Sequence, residues 1–582
     1  MTVKNSWDRL DPYRDEFVQG EWPTITEQFR LAAHLYPEAP AFTQFSPEEI
    51  RIPYKEARDH VLRIASWLVS KGFKKGDRAV LIGKNSPWWA ISYLSVLEAG
   101  GVIVPLDVQM EDETAQRLIS FTEAQFLFAD GDKHEILGNK DSGVRHKVSL
   151  SRDVGTFLLD LPAGKSTGFD QAEENDLAAI LFTSGTTGLE KGVMLTHKNF
   201  MTDVYQACHP DFLQAEQSDV WYALLPLHHS YCMTAVFLEG ITHASEIIFA
   251  GGLSVGQMMK DLELGGVTIF MGIPLLYNKI LKGMMKQVRS KGLASHLLVG
   301  FLMRISGLFK MVFKVNIGKK IFGNILLKKA NLYNLKYLIS GGGPLAPETV
   351  RRYQELGLDF VQGYGMTETA PISTLNPAHA FKIKAVGKVF PLIEMSIINP
   401  DENGIGEVAV KGPICCQGYW KNPEASSELF DDDGWLHTGD LGYLDRDNYL
   451  YLTGRSKNLI ITEGGKNVFP EELEDHFQLY HQVEQIMVRG FMADEASRSE
   501  GIEAVIFPSQ EHFDSLGIYE TEEIHKEIIQ GVKAVNRELL PYKRINRVRI
   551  VEEALPMTST RKIKRPVVNN LIPNTQEGTH PV

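Results

Sequence analysis

The sequence predicts an α/β protein with a large N-terminal part and a smaller α+β C-terminal part. Three observations predict this fold class. From about residue 50, helix-like and strand-like segments alternate, which is typical of βαβ units and mainly parallel sheet. Over residues 383–454 the sequence pattern changes to short strands separated by turns. Mixed α/β character then follows Arg455.

The alternating segments define the first elements of the large part. The predicted elements are a helix over Tyr54–Lys71, a strand over Arg78–Ile82, a helix over Trp88–Ala99 and a strand over Val102–Leu106. The same pattern returns at Leu262–Phe270 and at Leu335–Gly343. Strands that alternate with helices in this way indicate a sheet whose strands run mainly parallel.

Residues 383–454 predict a different kind of sheet. Asn403-Gly404 and the segment Asp445–Asn448 are turn signals between β-rich runs. Short strands joined by tight turns are typical of antiparallel pairing. We therefore expect an antiparallel or small β-barrel-like subdomain here.

The C-terminal part is expected to begin just after this subdomain. A further strand follows Arg455, and a helix is expected to open at Pro470. These features place the domain boundary near residues 455–457. The N-terminal domain would then comprise residues 1–455 and the C-terminal domain residues 456–582.

Composition excludes several classes of protein. The chain has 582 residues, of which 43% are hydrophobic and 23% charged, as in folded globular proteins and unlike disordered or collagen-like chains. Lys and Arg number 60 against 73 Asp and Glu, a formal net charge of −13. This acidic balance gives no indication of nucleic-acid binding. An anionic substrate would need locally placed cations or backbone N–H groups.

The cysteines and the N-terminal segment predict a cytoplasmic protein. The cysteines are Cys208, Cys232, Cys415 and Cys416. None lies in a CxxC or a Cys/His metal spacing, so we expect all four to be reduced. The initial segment MTVKNSWDRLDPYRDEF has no apolar core of the kind that a signal peptide needs.

Two segments bear on membrane contact. Residues 88–106 are the apolar stretch closest to membrane-spanning length, but Glu98, Gly100 and Pro105 interrupt it. We expect a buried helix, a turn and a buried strand there. Residues 282–336 carry a dozen Lys and Arg among apolar residues and no Asp or Glu. Such a segment is either a cationic solvated face on core-packed helices or a surface that meets anionic lipid headgroups or guides an anionic amphiphile to a pocket.

The most informative segment is LAAILFTSGTTGLEKGVMLTHKN, residues 177–199. An apolar strand leads into a Ser/Thr/Gly loop, and a second apolar strand leaves it. Glycines let backbone N–H groups converge on an oxyanion, hydroxyls add donors, and Lys191 supplies a cation. The loop therefore predicts a phosphate site, formed by Thr183, Ser184, Gly185, Thr186, Thr187, Gly188 and Lys191. It is not a Walker A loop, because Gly192 and a strand follow the lysine, and it is not a GxGxxG loop either.

This loop resembles the phosphate loop of the adenylate-forming superfamily, which includes acyl-CoA synthetases, nonribosomal adenylation domains and luciferases. Further segments resemble the family's motifs in the family's order and over essentially the whole chain. They are LPLHHSY (225–231), SGGGPL (340–345), GYGMTET (363–369), GWLHTGD (434–440), TGRSKNLI (453–460), EGGKNVFPEELE (463–474) and LPMTSTRKIKR (555–565).

The resemblance implies a role for each N-terminal motif. His229 would be a gate beside the acyl pocket, and the loop of Gly341, Gly342 and Gly343 would line the adenine and acyl-carboxylate site. In the third motif, Tyr364 would stack on adenine beside Gly365, Thr367 would contact phosphate, and Glu368 would hold Mg²⁺. An aromatic face suits a purine, and a carboxylate suits a hard cation.

The resemblance also implies roles near the domain boundary and in a mobile C-terminal domain. Asp440 would accept the ribose hydroxyls, with Arg455 as a second ribose or phosphate contact, and Lys457 would be the hinge. Gly464 and Gly465 would meet the phosphopantetheine arm. Lys562 would be the catalytic lysine, although Arg561 stands where the family usually has Gly. The expected catalytic set is Lys562, Glu368, Thr183 and Lys191.

The implied activity is ATP-dependent activation of a carboxylic acid to acyl-AMP, followed by transfer to the thiol of coenzyme A, with ATP, Mg²⁺ and coenzyme A required. The 282–336 insertion resembles long-chain fatty acyl-CoA synthetases, so a medium- or long-chain fatty acid is expected. An aryl or branched acid, a separate carrier protein as acceptor, and a catalytically silent homologue remain alternatives. Oligomeric state stays open, as does peripheral contact of a cytoplasmic enzyme with a membrane.

Overall fold

The computed structural model describes residues 5–582 apart from 139–141, 165–168, 170, 185–189, 253, 314, 344, 463–465, 495–498, 559–561, 573 and 576–577. The described strands are β1 (Pro40–Gln44), β2 (Ile50–Pro53), β3 (Arg78–Ile82), β4 (Val102–Leu106), β5 (Phe126–Ala129), β6 (His146–Ser149), β7 (Leu177–Ser184), β8 (Glu190–Thr196), β9 (Val220–Ala223), β10 (Glu246–Phe249), β11 (Ile269–Gly272), β12 (Tyr337–Ser340), β13 (Asp359–Gly365), β14 (Ile372–Leu375), β15 (Gly387–Val389), β16 (Glu394–Ile398), β17 (Gly406–Lys411), β18 (Leu436–Leu444), β19 (Tyr449–Arg455), β20 (Ile460–Ile461), β21 (Asn467–Val468), β22 (Val483–Asp494), β23 (Ser499–Pro508), β24 (Arg547–Ile550) and β25 (Thr579–Pro581).

The described α-helices are α1 (Ile25–Leu35), α2 (Tyr54–Ser70), α3 (Pro87–Glu98), α4 (Asp112–Thr122), α5 (Gly131–Ile136), α6 (His197–Ala207), α7 (Ser230–Cys232), α8 (Glu239–Thr242), α9 (Val255–Gly265), α10 (Pro274–Ser290), α11 (Leu293–Phe313), α12 (Gly318–Phe322), α13 (Pro347–Glu355), α14 (Pro423–Leu429), α15 (Pro470–Asp475), α16 (Gln510–Leu516), α17 (Thr521–Glu538) and α18 (Arg565–Leu571). A π-helical segment over Met233–Leu238 joins α7 to α8.

The predicted α/β fold class is confirmed. Strands β3 and β4 have the predicted bounds, and each end of helices α2 and α3 lies within one residue of its predicted position. The turn at Asn403-Gly404 joins β16 to β17, and the turn at Asp445–Asn448 joins β18 to β19. Both pairs are antiparallel, as the turn residues predict.

Two large sheets form the N-terminal part. The first sheet has the strand order β6-β5-β3-β4-β7-β8, and all its pairs are parallel except the β7–β8 hairpin. The second sheet has the order β16-β17-β18-β19-β15-β14-β13-β12-β11-β9-β10-β1-β2. In this order, the pairs from β13 to β1 are parallel, whereas the pairs from β16 to β13 and the β1–β2 pair at the other edge are antiparallel. The β-rich segment is thus hydrogen-bonded onto the same sheet.

Helix α3 fills the space between these layers. It begins at Ser86, whose side chain accepts a hydrogen bond from the Trp89 N–H, and at Pro87, which suits the first helical turn. Trp89 and Tyr93 are fully buried and stack with their ring centroids 5.3 Å apart. The expectation of a buried helix, a turn and a buried strand over residues 88–106 is therefore confirmed.

The second sheet creates a cleft where its parallel strands end. Strand β12 leads into the loop that begins with Gly341, and β13 leads into the segment that carries Thr367 and Glu368. Both segments lie at the same edge, because parallel strands end on the same side. Asn85, which follows β3, donates to the Ala223 and Leu225 carbonyls at 3.1 and 2.7 Å. This side chain ties the end of a first-sheet strand to the loop after β9, which carries the LPLHHSY motif.

The smaller C-terminal domain contains a sheet of order β22-β23-β24-β25 with its own apolar core. At its centre Glu503 is fully buried and accepts hydrogen bonds from Arg489 Nε at 2.6 Å and Arg547 Nε at 3.0 Å. Arg489 also donates to the Ile572 carbonyl at 2.9 Å. These charged hydrogen bonds fix the C-terminal segment to the sheet and compensate a buried carboxylate.

The described helix that is long and apolar enough to cross a membrane is α11, not the 88–106 stretch. An 18-residue window within α11 has a mean hydropathy of 1.5 and only 11% of it is buried. Naming residues 88–106 as the apolar stretch nearest to spanning length was therefore wrong. Arg304 and Lys310 interrupt an otherwise nearly continuous apolar run in α11. The segment was therefore interpreted by its charge and not as an apolar helix of membrane-spanning length.

Candidate active site

The predicted site residues that the structure describes line one cleft with a volume of about 3070 Å³. They are Thr183, Lys191, His229, Gly341, Gly342, Gly343, Tyr364, Gly365, Thr367, Glu368, Asp440, Arg455, Lys457 and Lys562. The predicted residues Gly185, Thr186, Thr187, Gly188, Gly464 and Gly465 lie outside the described residues, as does the side chain of Ser184. Segments separated by several hundred residues in sequence therefore share one surface.

The predicted phosphate loop begins on a hairpin. Strands β7 and β8 pair with Thr183 opposite Lys191, which fixes both residues at the end of the hairpin beside the loop. The Lys191 ammonium lies 4.8 Å from the ring centroid of Tyr419. This cation–π contact holds the ammonium group at the cleft wall. A cation and a hydroxyl are thus placed where the sequence predicts an oxyanion site.

Asp440 joins three segments of the cleft, and we call its contacts with Tyr364 and Arg455 the Asp440 corner. Tyr364 Oη donates to Asp440 Oδ2 at 2.8 Å, and Arg455 Nε lies 2.8 Å from Asp440 Oδ1. Asp440 and Arg455 are direct partners in the β18–β19 ladder. The Asp440 carboxylate is the main cause of a raised pKa for Arg455, so this arginine stays cationic.

Glu368 is buried in the loop after β13. Tyr419 Oη donates to Glu368 Oε1 at 2.9 Å, and the Cys416 N–H donates to the Glu368 carbonyl at 2.9 Å. Burial raises the pKa of the Glu368 carboxyl, and the hydrogen bond from Tyr419 and the charge of Lys191 oppose that shift. Tyr419 was not predicted, because nothing in the segment CCQGYW marks it as a site residue.

The loop after β12 requires glycine at its first position. A Cβ at Gly341 would lie 2.8 Å from the ring of Tyr231, closer than side-chain atoms pack. Tyr231 comes from the LPLHHSY segment, so this motif and the SGGGPL motif are in direct contact. Ser230 Oγ also lies 3.2 Å from Thr367 Oγ1, which joins the same segment to the GYGMTET motif.

His229 borders the cleft in its uncharged form. Burial lowers the pKa of His229 to about 3, with further lowering by His228 and by Lys562. The rings of His228 and His229 have centroids 4.3 Å apart, and His228 Nε2 lies 3.5 Å from Asp107 Oδ2. A neutral imidazole at this position presents a mainly apolar ring to the cleft at neutral pH.

Lys562 reaches the cleft from the C-terminal domain. Its N–H donates to Thr558 Oγ1 at 3.1 Å, and its carbonyl accepts from the Thr558 N–H at 2.8 Å. The side chain is accessible to solvent, but the cleft walls limit its hydration. This desolvation and the charge of Arg455 lower the pKa of Lys562, and Asp440 opposes the shift. Lys562 therefore interacts electrostatically with both charges of the Asp440 corner.

Arg565 holds the Lys562 loop in place. Its guanidinium donates to the Val488 carbonyl at 2.7 Å and to Glu474 Oε1 at 2.5 Å. Glu474 lies on α15, in the helix that the sequence predicts to open at Pro470. Arg565 closes the LPMTSTRKIKR segment, yet the motif alone did not identify its partner because Glu474 is 91 residues away.

The segment between the two domains also has defined contacts. Lys457 is exposed and lines the cleft. On either side of it, Ser456 Oγ donates to the Gly439 carbonyl at 3.1 Å, and Asn458 Nδ2 donates to Glu471 Oε1 at 2.6 Å. The residue before Lys457 is thus hydrogen-bonded to the second sheet, and the residue after it is hydrogen-bonded to α15.

Comparison with known proteins identifies the family. The model of the AMP-binding enzyme family matches residues 29–420, and the chain belongs to this family. The long-chain-fatty-acid–CoA ligase FadD15 of Mycobacterium bovis is 28% identical over 568 residues, covering 88% of this chain and 89% of that protein. The feruloyl-CoA synthase of an Amycolatopsis species is 28% identical over 484 residues, covering 81% and 85%.

Solved structures have the same architecture. The crystal structure of ATP-bound MatB from Rhodopseudomonas palustris has a TM-score of 0.73 and 25% identity, and it covers 93% of this chain and 98% of that one. Together these findings support the class of AMP-forming acid–CoA ligases. ATP and coenzyme A as substrates are consistent with this family. The relatives are named for different acids, so these comparisons support the class of enzyme but do not identify its acid substrate.

The contact between Tyr419 and Glu368 predicts a pH effect. We expect pyrophosphate release to require the ionised form of Glu368, which is present above its pKa. The rate should therefore fall as pH decreases through that pKa. Replacing Tyr419 by Phe removes a donor to the carboxylate, which raises the pKa of Glu368 further. A hydrogen bond to a charged group contributes about 1.5–3 kcal/mol, equivalent to about one to two pH units. We expect the acidic limb of pyrophosphate release to move to higher pH by about this amount.

The measurement is the pH profile of kcat/KM for ATP at saturating acid. Tyr36→Phe is the control, because Tyr36 is 42% exposed and lies outside the cleft. An acidic limb that stays in place in Tyr419→Phe, or that moves equally in both variants, would contradict a functional role for the Glu368 carboxylate.

Proposed function

We propose that the protein activates a medium- or long-chain fatty acid to acyl-AMP with ATP and then transfers the acyl group to the thiol of coenzyme A. The observation that carries the proposal is the presence of Lys562, the Asp440 corner and an apolar extension in one cleft. The first two features suit adenylate formation. The third suits a long alkyl chain.

The Asp440 corner suits the nucleoside part of ATP. Tyr364 offers an aromatic ring next to a carboxylate whose oxygens retain free lone pairs for ribose hydroxyls. Arg455 holds that carboxylate in place and remains 53% exposed, so its guanidinium can also meet an anion in the cleft. Thr183 and Lys191 at the hairpin would contact the phosphates, together with the loop that follows Ser184.

The first step joins two anions. A carboxylate oxygen of the fatty acid attacks the α-phosphorus of ATP, a new O–P bond forms, and the bond to pyrophosphate breaks. Lys562 would neutralise the carboxylate and the α-phosphate as they approach each other. Such charge stabilisation and positioning account for most of the rate in phosphoryl chemistry.

Glu368 fits a role in holding Mg²⁺. Its carboxylate lines the cleft near Lys191, and Mg²⁺ in nucleotide enzymes binds one or two carboxylates while the substrate phosphates supply other ligands. The donor set therefore fits a metal that arrives with ATP. When bound, Mg²⁺ would neutralise phosphate charge, and Tyr419 would orient the carboxylate that holds it.

The second step needs a different arrangement. The sulfur of coenzyme A attacks the acyl carbonyl, a C–S bond forms, and the C–O bond to AMP breaks. We infer that the domain of residues 456–582 rotates at Lys457 against residues 1–455. That rotation would withdraw Lys562 and bring Gly464 and Gly465 towards the thiol. The bonds of Ser456 and Asn458 on either side of Lys457 allow a change of angle to be concentrated at one residue.

The acyl chain would occupy the apolar part of the cleft. Helices α9 and α10 and strand β11 contribute a set of aliphatic and thioether side chains, beside polar and cationic side chains of α10. The apolar ones are Met259, Met271, Leu275, Ile280, Met284 and Met285. Methionine is flexible and adapts to alkyl chains of varied conformation. The neutral ring of His229 borders the same cleft and would gate it. These features favour a linear fatty acid over a rigid aryl acid.

An aryl acid is the second candidate substrate. The feruloyl-CoA synthase of Amycolatopsis is as similar in sequence as the fatty acid ligase, at 28% identity. Neutral His229 and Tyr231 beside the glycine loop would also suit an aromatic ring. The two candidates differ in how activity depends on chain length.

The place of Lys562 predicts a separation of the two steps. We expect Lys562→Ala to reduce pyrophosphate release by about 10²–10³-fold, the usual effect of removing one group that stabilises transition-state charge. The same variant should still convert supplied acyl-AMP to the thioester with coenzyme A. The matched control is Lys564→Ala, which removes an exposed lysine from the same loop.

Both steps are measured with purified protein, the first as pyrophosphate release and the second as thioester formation from synthetic acyl-AMP. Near-normal pyrophosphate release by Lys562→Ala would contradict its assignment. Equal loss from Lys562→Ala and Lys564→Ala would point to the charge of the loop rather than to one lysine.

A substrate panel tests the proposed acid. Pyrophosphate release is measured with hexanoate, decanoate, oleate and ferulate, first with coenzyme A and then with a carrier protein as acceptor. A buried methylene contributes about 0.8 kcal/mol, so kcat/KM should rise about fourfold for each methylene that enters the pocket. A preference for ferulate would favour the aryl alternative, transfer only to carrier protein would change the acceptor, and no release with any acid would indicate a silent homologue.

A further inference from the structure

Helix α11 carries an exposed apolar face that no other described residue covers. We call this face the α11 surface. It consists of Leu293, Leu297, Leu298, Phe301, Leu308, Phe309, Met311, Val312 and Phe313, which are between 40% and 68% exposed. With about 100° of rotation per residue, these side chains occupy about half of the helix circumference. Contiguous apolar patches of this extent on a folded protein usually mark an interaction site.

The opposite face of α11 is fixed to the protein. Met303 and Ser306 are buried, and Gly307 packs so closely that an added Cβ would lie 2.8 Å from Glu355 Cγ. Further along the helix, Lys310 Nζ lies 2.7 Å from Asp359 Oδ1. These contacts hold α11 lengthwise against α13 and the second sheet. The helix therefore lies along the domain surface instead of projecting from it.

This packing argues against a helix that crosses a bilayer. At about 1.5 Å per residue, the 21 residues of α11 are about as long as a bilayer core is thick. Crossing would, however, carry the partners Glu355 and Asp359 into the hydrocarbon region, where charged groups are costly. A helix with one face on the protein and an apolar face outward suits the plane of the membrane interface.

The charges around the α11 surface indicate the chemistry of its partner. Residues 282–336 contain a dozen Lys and Arg and no Asp or Glu, in a chain with a net charge of −13. The exposed cations among the described residues of this segment are Lys286, Arg289, Lys291, Arg304, Lys320, Lys328 and Lys329. Basic side chains around an apolar helix face are attracted to anionic headgroups while the apolar side chains enter the boundary with the acyl chains.

We propose that the α11 surface docks the protein on an anionic lipid bilayer, with α11 lying in the headgroup region. A second copy of the chain is disfavoured as the partner, because symmetric pairing through this face would bring two acid-free cationic segments together. A lipid surface complements both the apolar side chains and the cations.

Docking would also affect how the acid substrate reaches the cleft. This consequence rests on the proposed function. His296 of α11, Met285 of α10 and Ala330 all line the cleft that holds the predicted site residues. The α11 surface therefore lies beside the cleft. A fatty acid dissolved in the bilayer would have a short path to the site, whereas a water-soluble acid would gain nothing from docking.

The test is co-sedimentation of the full chain with sucrose-loaded vesicles in the absence of substrates, so its result does not depend on the acid. Vesicles of equal parts phosphatidylcholine and phosphatidylglycerol are compared with pure phosphatidylcholine. We expect binding to the anionic vesicles that weakens as salt is raised. The variant Leu297→Glu/Phe301→Glu should lower the vesicle partition coefficient at least tenfold.

The control variant is Tyr519→Glu/Leu540→Glu, which places the same charges on side chains that are 69% and 55% exposed on the C-terminal domain. Thermal melting checks that both variants are folded. If the α11 variant does not fold, Arg289→Gln/Lys291→Gln replaces it and should weaken binding to the anionic vesicles.

Three outcomes would overturn the proposal. The first is no binding of the unmodified protein to anionic vesicles at low salt. The second is equal binding by the α11 variant and its control. The third is a dimer of the unmodified protein, measured by light scattering, that Leu297→Glu/Phe301→Glu converts to a monomer, since the surface would then join two copies of the chain.

Discussion

The ion pair between Asp440 and Arg455, together with the hydrogen bond from Tyr364, is the interaction on which the arrangement of the site depends. It joins the end of parallel strand β13 to antiparallel strands β18 and β19. Arg455 is also the last residue of β19, so the same contact fixes the point from which the C-terminal domain departs. Lys562 approaches this corner as a partly dehydrated cation next to another cation. Two cations beside one carboxylate leave a net positive charge, which suits a polyanionic substrate.

Much of the fold and of the cleft could be predicted from the sequence. Strands β3 and β4 were predicted because a fully buried parallel strand is a short apolar run with clear ends, and the turn at Asn403-Gly404 carries its own backbone preference. The glycine loops and the lysines of the site were predicted because their chemistry is local to short motifs.

Other features could not be predicted, because they depend on pairs that are distant in sequence. Tyr419 meets Glu368 across 51 residues, and Arg565 meets Glu474 across 91. The need for glycine at position 341 comes from the ring of Tyr231, which no pattern within SGGGPL encodes. The exposure of α11 could not be predicted either, since an apolar helix that carries cations can also pack in a core. In each case the partner, and not the residue itself, determines the property.

The central claim is that the cleft forms an acyl-adenylate before any thiol takes part. Its most direct test is the exchange of labelled pyrophosphate into ATP by the unmodified protein, with ATP, Mg²⁺ and oleate but without coenzyme A. We predict exchange that requires the acid and not coenzyme A, because the reverse of the first step remakes ATP from acyl-AMP and pyrophosphate. Exchange that requires coenzyme A, or the formation of ADP and phosphate in place of AMP and pyrophosphate, would contradict the account.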